Sequence, residues 1–213
     1  YRFKSGECVK KINSFLNKIL KVETNSLVIL STMGPVYLDG TTFKGKDIDR
    51  IRGLGVTLIT DESIKNRYEV FEIGMRKTLK ELSKKKNLKI VFVIDIPELG
   101  IDSGCLPQRK IIKLFGYELK DQTEITNIKN SNKCFVNRNE YDDRSKKYKN
   151  LVFKISNDFP SIYIFDPTNY FCDNKTCTGY NKKFGYLYRD FDHLSQNGSK
   201  YFAEHFSNWI LEK

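Results

Sequence analysis

The chain has 213 residues, 39% of them hydrophobic, which suits one globular domain with a substantial core and excludes wholesale disorder. No run approaches the roughly 20 consecutive apolar residues of a membrane-spanning helix, and residues 1–20 lack the continuous apolar centre of a signal peptide, so any export signal or anchor is expected outside the chain. The formal charge of +11 lies largely in lysine runs such as Lys84-Lys85-Lys86; these are usually solvated helix ends, can also attract anionic polysaccharide or acidic lipid, and accompany no nucleic-acid-binding motif.

In chain order, Val9, Ile12, Phe15, Leu16, Ile19 and Leu20 recur at helical spacing and predict an amphipathic helix over 8–20. The short apolar run 27–30 reads as a strand buried on both faces, followed by a Gly-Pro loop at 31–35. Residues 39–61 read as an irregular insertion with one or two short strands, such as 56–59. A second helix is predicted over about 66–84, with Tyr68, Phe71, Met75, Leu79 and Leu82 on one stripe and Met75 as core filler. The run 90–94 is a second buried strand, closing at Asp95-Ile96-Pro97, and 100–139 forms a long excursion. A third helix over roughly 141–158 precedes a third strand, 162–165, which ends at Asp166-Pro167. The final helix is expected over about 195–211, capped by Ser195, with Phe202, Phe206 and Ile210 facing inward. This alternation predicts an α/β class, a mainly parallel sheet covered by helices on both faces, in a single domain over 1–213.

In such sheets functional groups gather in loops at the carboxyl ends of strands. The loop directly before the final helix reads Tyr188-Arg189-Asp190-Phe191-Asp192-His193-Leu194-Ser195. Asp190 and His193 stand three residues apart, which lets the carboxylate reach one imidazole nitrogen while the other points outward. That arrangement fixes the tautomer and stabilises the imidazolium formed when His accepts a proton from a serine hydroxyl. Only two histidines occur, and the second, His205, sits mid-helix as an ordinary helix residue. An isolated Asp-x-x-His is also found as a capped surface loop, so the motif alone leaves both readings open.

The stretch 188–199, with its Tyr-x-Asp-x-Asp-His-Leu-Ser-x-x-Gly pattern, resembles the last conserved block of the SGNH hydrolase superfamily. More narrowly, it is similar to the SGNH domain at the carboxyl end of acyltransferase-3 membrane proteins, which modify cell-surface polysaccharides. Asp166-Pro167 followed by Cys172 and Cys177, the loop Ile96-Pro97-Glu98-Leu99-Gly100 with Cys105, Leu106 and Arg109, and the strand 27–30 with Tyr37 extend the likeness over most of the chain. The resemblance implies a three-layer α/β/α, flavodoxin-like fold, and it makes Asp190 and His193 two members of a Ser-His-Asp triad, with Asp192 and Ser195 shaping the loop and starting the helix. It implies acyl transfer or ester hydrolysis on a surface polysaccharide, with that glycan or an acyl donor as partner, no metal or organic cofactor, no nucleic acid, and an extracytoplasmic site anchored by a membrane domain.

The chain departs from the pattern at the nucleophile. No Gly-Asp-Ser block occurs; the nearest string, Asp102-Ser103-Gly104, stands in the wrong place, where Ser103 reads as a turn residue. The serine and the first strand are therefore expected upstream of Tyr1, leaving the fold incomplete on its N-terminal side and a strand edge or groove open beside 27–30. The alternative is a catalytically inactive, polysaccharide-contacting domain of a membrane acyltransferase. Thr32 or Gly34 is a candidate neighbour of the site, although a plain turn role is the better account of the pair. Of the five cysteines, one close pair with four intervening residues argues less for zinc, which usually wants two such pairs, than for disulfides. Spacing and resemblance together suggest Cys172–Cys177 and Cys105–Cys134, with Cys8 paired outside the chain.

Overall fold

The computed structural model describes residues 5–43, 58, 61, 63–99, 111–114, 117–120 and 134–213, with the backbone alone at 5–9 and 111–120. The expected insertion at 39–61 and excursion at 100–139, including Ser103, Cys105 and Arg109, fall mostly outside these residues. The chain divides into two compact units, 1–42, 46–95 and 145–165 forming the first, and 43–45, 96–144 and 166–213 the second.

The first unit holds helix α1 (Ser5–Leu20), strand β1 (Ser26–Ser31), helix α2 (Gly34–Asp39), helix α3 (Arg67–Leu82) and strand β2 (Leu88–Val93). Three strands form a parallel sheet in the order β1, β2 and a third strand, Ile162–Phe165, with Val28 opposite Ile90 and Ile90 opposite Ile162. Parallel neighbours need crossover connections, and the helices between the strands supply them. Asn66 starts α3 by accepting the N–H groups of Tyr68 and Glu69 at 3.0 and 3.3 Å. Leu79 and Leu82 then pack with Ile90, Phe92, Val152 and Ile155 in one core. Each such fully buried side chain contributes roughly 1.5–3 kcal/mol relative to exposure.

The central strand meets its expectation, since Ile90, Val91, Phe92 and Val93 are all buried. β1 does not. Val28 is buried, but Leu27 and Ile29 are 43% and 51% exposed, because β1 lies at the sheet edge and only one of its faces meets the core. Its outer edge has no ladder partner among the described residues. The 31–35 loop also differs from its reading, for Gly34-Pro35 opens the short helix α2. Proline at the first helical turn is preorganised for that start. Gly34 donates its N–H to Asp95 Oδ2 at 2.9 Å, and a Cβ there would stand 2.4 Å from the Tyr148 ring. Close approach explains this glycine.

The second unit holds a hairpin of β3 (Ile111–Leu114) and β4 (Tyr117–Lys120), strand β5 (Phe135–Asn137), the first turns of helix α4 (Arg138–Asn157), and then, after β6 (Ile162–Phe165), helix α5 (Thr168–Phe171). Three small strands, β7 (Thr176–Thr178), β8 (Tyr180–Asn181) and β9 (Gly185–Tyr186), lead to helix α6 (Gln196–Leu211). The core gathers Cys134, Phe171, Cys177, Leu187 and Tyr188, all at most 1% exposed. Cys172 and Cys177 form the expected disulfide. Cys134 is also disulfide-bonded, to a partner outside the described side chains.

Ser195 is the expected cap of α6, accepting the Gly198 N–H at 3.0 Å and donating its hydroxyl to the Tyr186 carbonyl at 2.7 Å. The inward face of α6 is less buried than its periodicity suggests: Phe202, Phe206 and Ile210 are only partly buried, and Gly198 is its one fully buried residue.

Candidate active site

The loop between β9 and α6 is tied off at its neck. Tyr188 and Leu194 form an antiparallel bridge, Arg189 donates its N–H to the His193 carbonyl at 3.0 Å, and Ser195 donates to the Leu187 carbonyl at 2.8 Å. Within it, Asp190 Oδ1 accepts the backbone N–H of Asp192 at 3.1 Å and of His193 at 2.7 Å. This is the turn that an Asp side chain makes with its own following backbone. It brings His193 back over the carboxylate, so that Nδ1 lies 3.0 Å from each Asp190 oxygen.

The structure thus joins the two residues singled out from the sequence. With carboxylate oxygens around Nδ1, the proton belongs on that nitrogen, where it donates to the carboxylate. Nε2 is left with its lone pair on a ring whose side chain is half exposed. Burial opposes ionisation of Asp190, but the N–H groups of His193 and Asp192 outweigh it and hold the carboxyl below its usual range.

The supporting contacts come from the segment after β2. Buried Tyr188 donates its hydroxyl to the Pro97 carbonyl at 2.7 Å, and Leu99 donates its N–H to the Phe191 carbonyl at 2.9 Å. Between them Glu98, 3% exposed, accepts from Arg144 Nε at 2.8 Å. The first residue of the Tyr-x-Asp-x-Asp-His pattern is therefore a strut, fixing the loop from below.

Asp192 is the residue whose place the sequence conceals. Its side chain is 6% exposed, and Oδ1 lies 2.7 Å from His193 Nδ1. Burial pushes its carboxyl up to about 6; a hydrogen bond with Asp190 and the charges of Asp190 and Glu98 add to the rise, and the charge of His193 opposes it. The folded chain thus keeps a proton that the unfolded chain, at the ordinary 3.8, has released, so stability falls as pH rises from about 4 through 6. Allowing for solvent screening, the loss is roughly 1–2 kcal/mol. Asp192→Asn is expected to recover that amount at about pH 7.5 and nothing at about pH 4 in urea unfolding curves. Equal gains at both values would contradict ionisation of the buried carboxyl.

Asp190, Asp192 and His193 also bring potential ligand atoms within 4.8 Å of one another. Thr32 and Gly34 lie in the first unit, whereas Asp190 and His193 lie in the second. Gly34 is explained by its packing against Tyr148. His205 stacks on the Tyr170 ring with centroids 4.2 Å apart, a packing role, and burial lowers its ring below the usual histidine range.

The three parallel strands and their connecting helices make this a mixed α/β protein. The chain belongs to the family of SGNH domains fused to AT3 domains, whose pattern matches residues 1–208. Among solved structures, it is similar to the periplasmic domain of a lipopolysaccharide acetyltransferase from Salmonella ser. Paratyphi A, at 14% identity and a TM-score of 0.51. That likeness covers 93% of this chain and 61% of the other, and at this identity it speaks for the fold. No curated protein sequence matches the chain.

Proposed function

We propose that this chain supplies the His–Asp part of a Ser-His-Asp triad for acyl transfer to or from a cell-surface polysaccharide, the serine coming from a segment upstream of Tyr1. One observation carries the reading: Nδ1 of His193 is held by a carboxylate that is itself locked by two backbone N–H groups, leaving Nε2 on a half-exposed ring. A histidine so oriented takes the hydroxyl proton as serine attacks an ester carbonyl and returns it to the leaving alcohol. The acyl group then passes to a sugar hydroxyl or to water. Membership in a family fused to AT3 domains supports a membrane acyltransferase as the covalent partner and an extracytoplasmic position. No helix among the described residues is long and apolar enough to cross a membrane.

The test compares the 213-residue chain with the longer protein that includes the upstream residues, using nitrophenyl acetate and acetylated polysaccharide. The chain alone is expected to be nearly inert and the longer protein active by some orders of magnitude more, if the added segment brings both serine and oxyanion donors. Robust, His193-dependent hydrolysis by residues 1–213 alone would place the nucleophile inside the chain. An inert longer protein that still binds the polysaccharide would favour a contacting domain.

A further inference from the structure

Two carboxylates, not one, converge on the ring nitrogen of His193. Asp192 Oδ1 lies 2.7 Å from Nδ1, closer than either oxygen of Asp190 at 3.0 Å. Its carboxyl is buried, and neither oxygen receives an aligned hydrogen bond from a described residue. A carboxylate in that position costs several kcal/mol unless a cation or donor faces it.

The groups that face it are few. Asp190 and Glu98 are acidic and raise the cost of ionising it. Arg144 is engaged by Glu98, and Arg189, 60% exposed, points its Nε toward Asp190 at 3.6 Å. Among the described residues, His193 is the group facing Asp192 whose positive charge lowers that cost.

We propose that Asp192 is a second orienting carboxylate for His193, sharing Nδ1 with Asp190 so that either one alone keeps the ring in the productive tautomer. It is a positioning residue, and the inference rests on the reading of His193 as the base. In the proton-transfer step the serine O–H bond breaks and an Nε2–H bond forms, with both carboxylates meeting the new imidazolium charge at Nδ1. A carboxyl serving only to shape the turn would have no such role, because the turn is already closed by Asp190 accepting two backbone N–H groups.

Ring 15N spectra of the 213-residue chain read the tautomer directly, and with two histidines the His205→Ala variant assigns them. At about pH 8, where both carboxyls are ionised, the parent chain is expected to hold the proton on Nδ1. Asp190→Ala and Asp192→Ala should each keep that tautomer dominant, and the double variant should revert to the Nε2-protonated form that free imidazole side chains prefer. Asp192→Asn, of nearly the same volume, replaces Asp192→Ala should the latter not fold. In the longer protein, either single alanine variant is expected to lose about tenfold in kcat, and the double variant about 10³–10⁴-fold, a markedly non-additive loss. Full reversion in Asp190→Ala alone, or no further change on adding the Asp192 substitution, overturns the proposal. The spectra need no serine, so an inert longer protein with doubly held tautomer control would sink the acyl-transfer reading and leave this one standing.

Discussion

Gly198→Ala is expected to destabilise the second unit by about 3 kcal/mol or more, or to prevent its folding. A Cβ at that position would stand 1.8 Å from the Leu187 carbonyl oxygen, 2.7 Å from its carbon and 3.0 Å from its Cα. All three are backbone atoms, so no side-chain rotation relieves the clash. Leu187 cannot retreat easily either. Its N–H donates to the Gly179 carbonyl at 2.8 Å, its carbonyl accepts from Ser195 at 2.8 Å, and its neighbour Tyr188 is fully buried. The helix must lift, and lifting breaks the Ser195 cap and its bond to Tyr186. Overpacking usually costs about 1–3 kcal/mol, and the loss of a cap adds about 1 more. Gly74→Ala in α3 is the control, since nothing lies within 4 Å of its Cβ position, and helix propensity predicts a gain of up to about 1 kcal/mol. Urea unfolding of the two variants decides; a Gly198→Ala chain within about 1 kcal/mol of the parent would refute the packing argument.

His193→Ala is expected to remove about 10⁴-fold or more of the kcat/KM of the longer protein toward acetyl esters, as losing the serine would. The size follows from triads acting as a unit, in which serine without its base is a poor nucleophile. His205→Ala is expected to leave the rate within about twofold, because that ring packs on Tyr170 and Tyr201. Comparable losses in the two variants would show that the histidines act through stability alone. Their melting curves, taken alongside, separate the cases.

Much of this arrangement is legible in the sequence, for reasons that differ by element. The run 90–94 reads correctly because this stretch, most of it in the central parallel strand, is apolar at every position. The Ser195 cap and the Asp190–His193 pair read correctly because both depend on contacts three residues apart. β1 misleads for the converse reason: Leu27 to Leu30 is as apolar as a central strand, and edge position is a property of the sheet, not of the run. The strands β7 to β9, two or three residues each, are too short to show a period. The Glu98–Arg144 pair joins residues 46 apart, and no local signal announces it. Asp192 is hidden differently. In a loop with two aspartates, nothing in the residue types says which carboxylate turns inward.

Three cysteine sulfurs sit inside the same core that carries the site's supporting strut. Cys134 and Cys177 are fully buried, Cys172 nearly so, and they share that core with Tyr188, whose hydroxyl braces the His193 loop from Pro97. Oxidation is therefore a step in assembling the packing beneath the loop. A chain made where thiols stay reduced must bury these three sulfurs as polar-tipped, slightly larger thiols in space shaped for bonded sulfur, and its loop inherits whatever misfit results. Once closed, the same burial shields the bridges, because a reductant's thiolate reaches them only after the core opens. The redox history of the polypeptide is thus written into the geometry of its histidine, and the compartment in which it folds takes part in deciding whether the site forms.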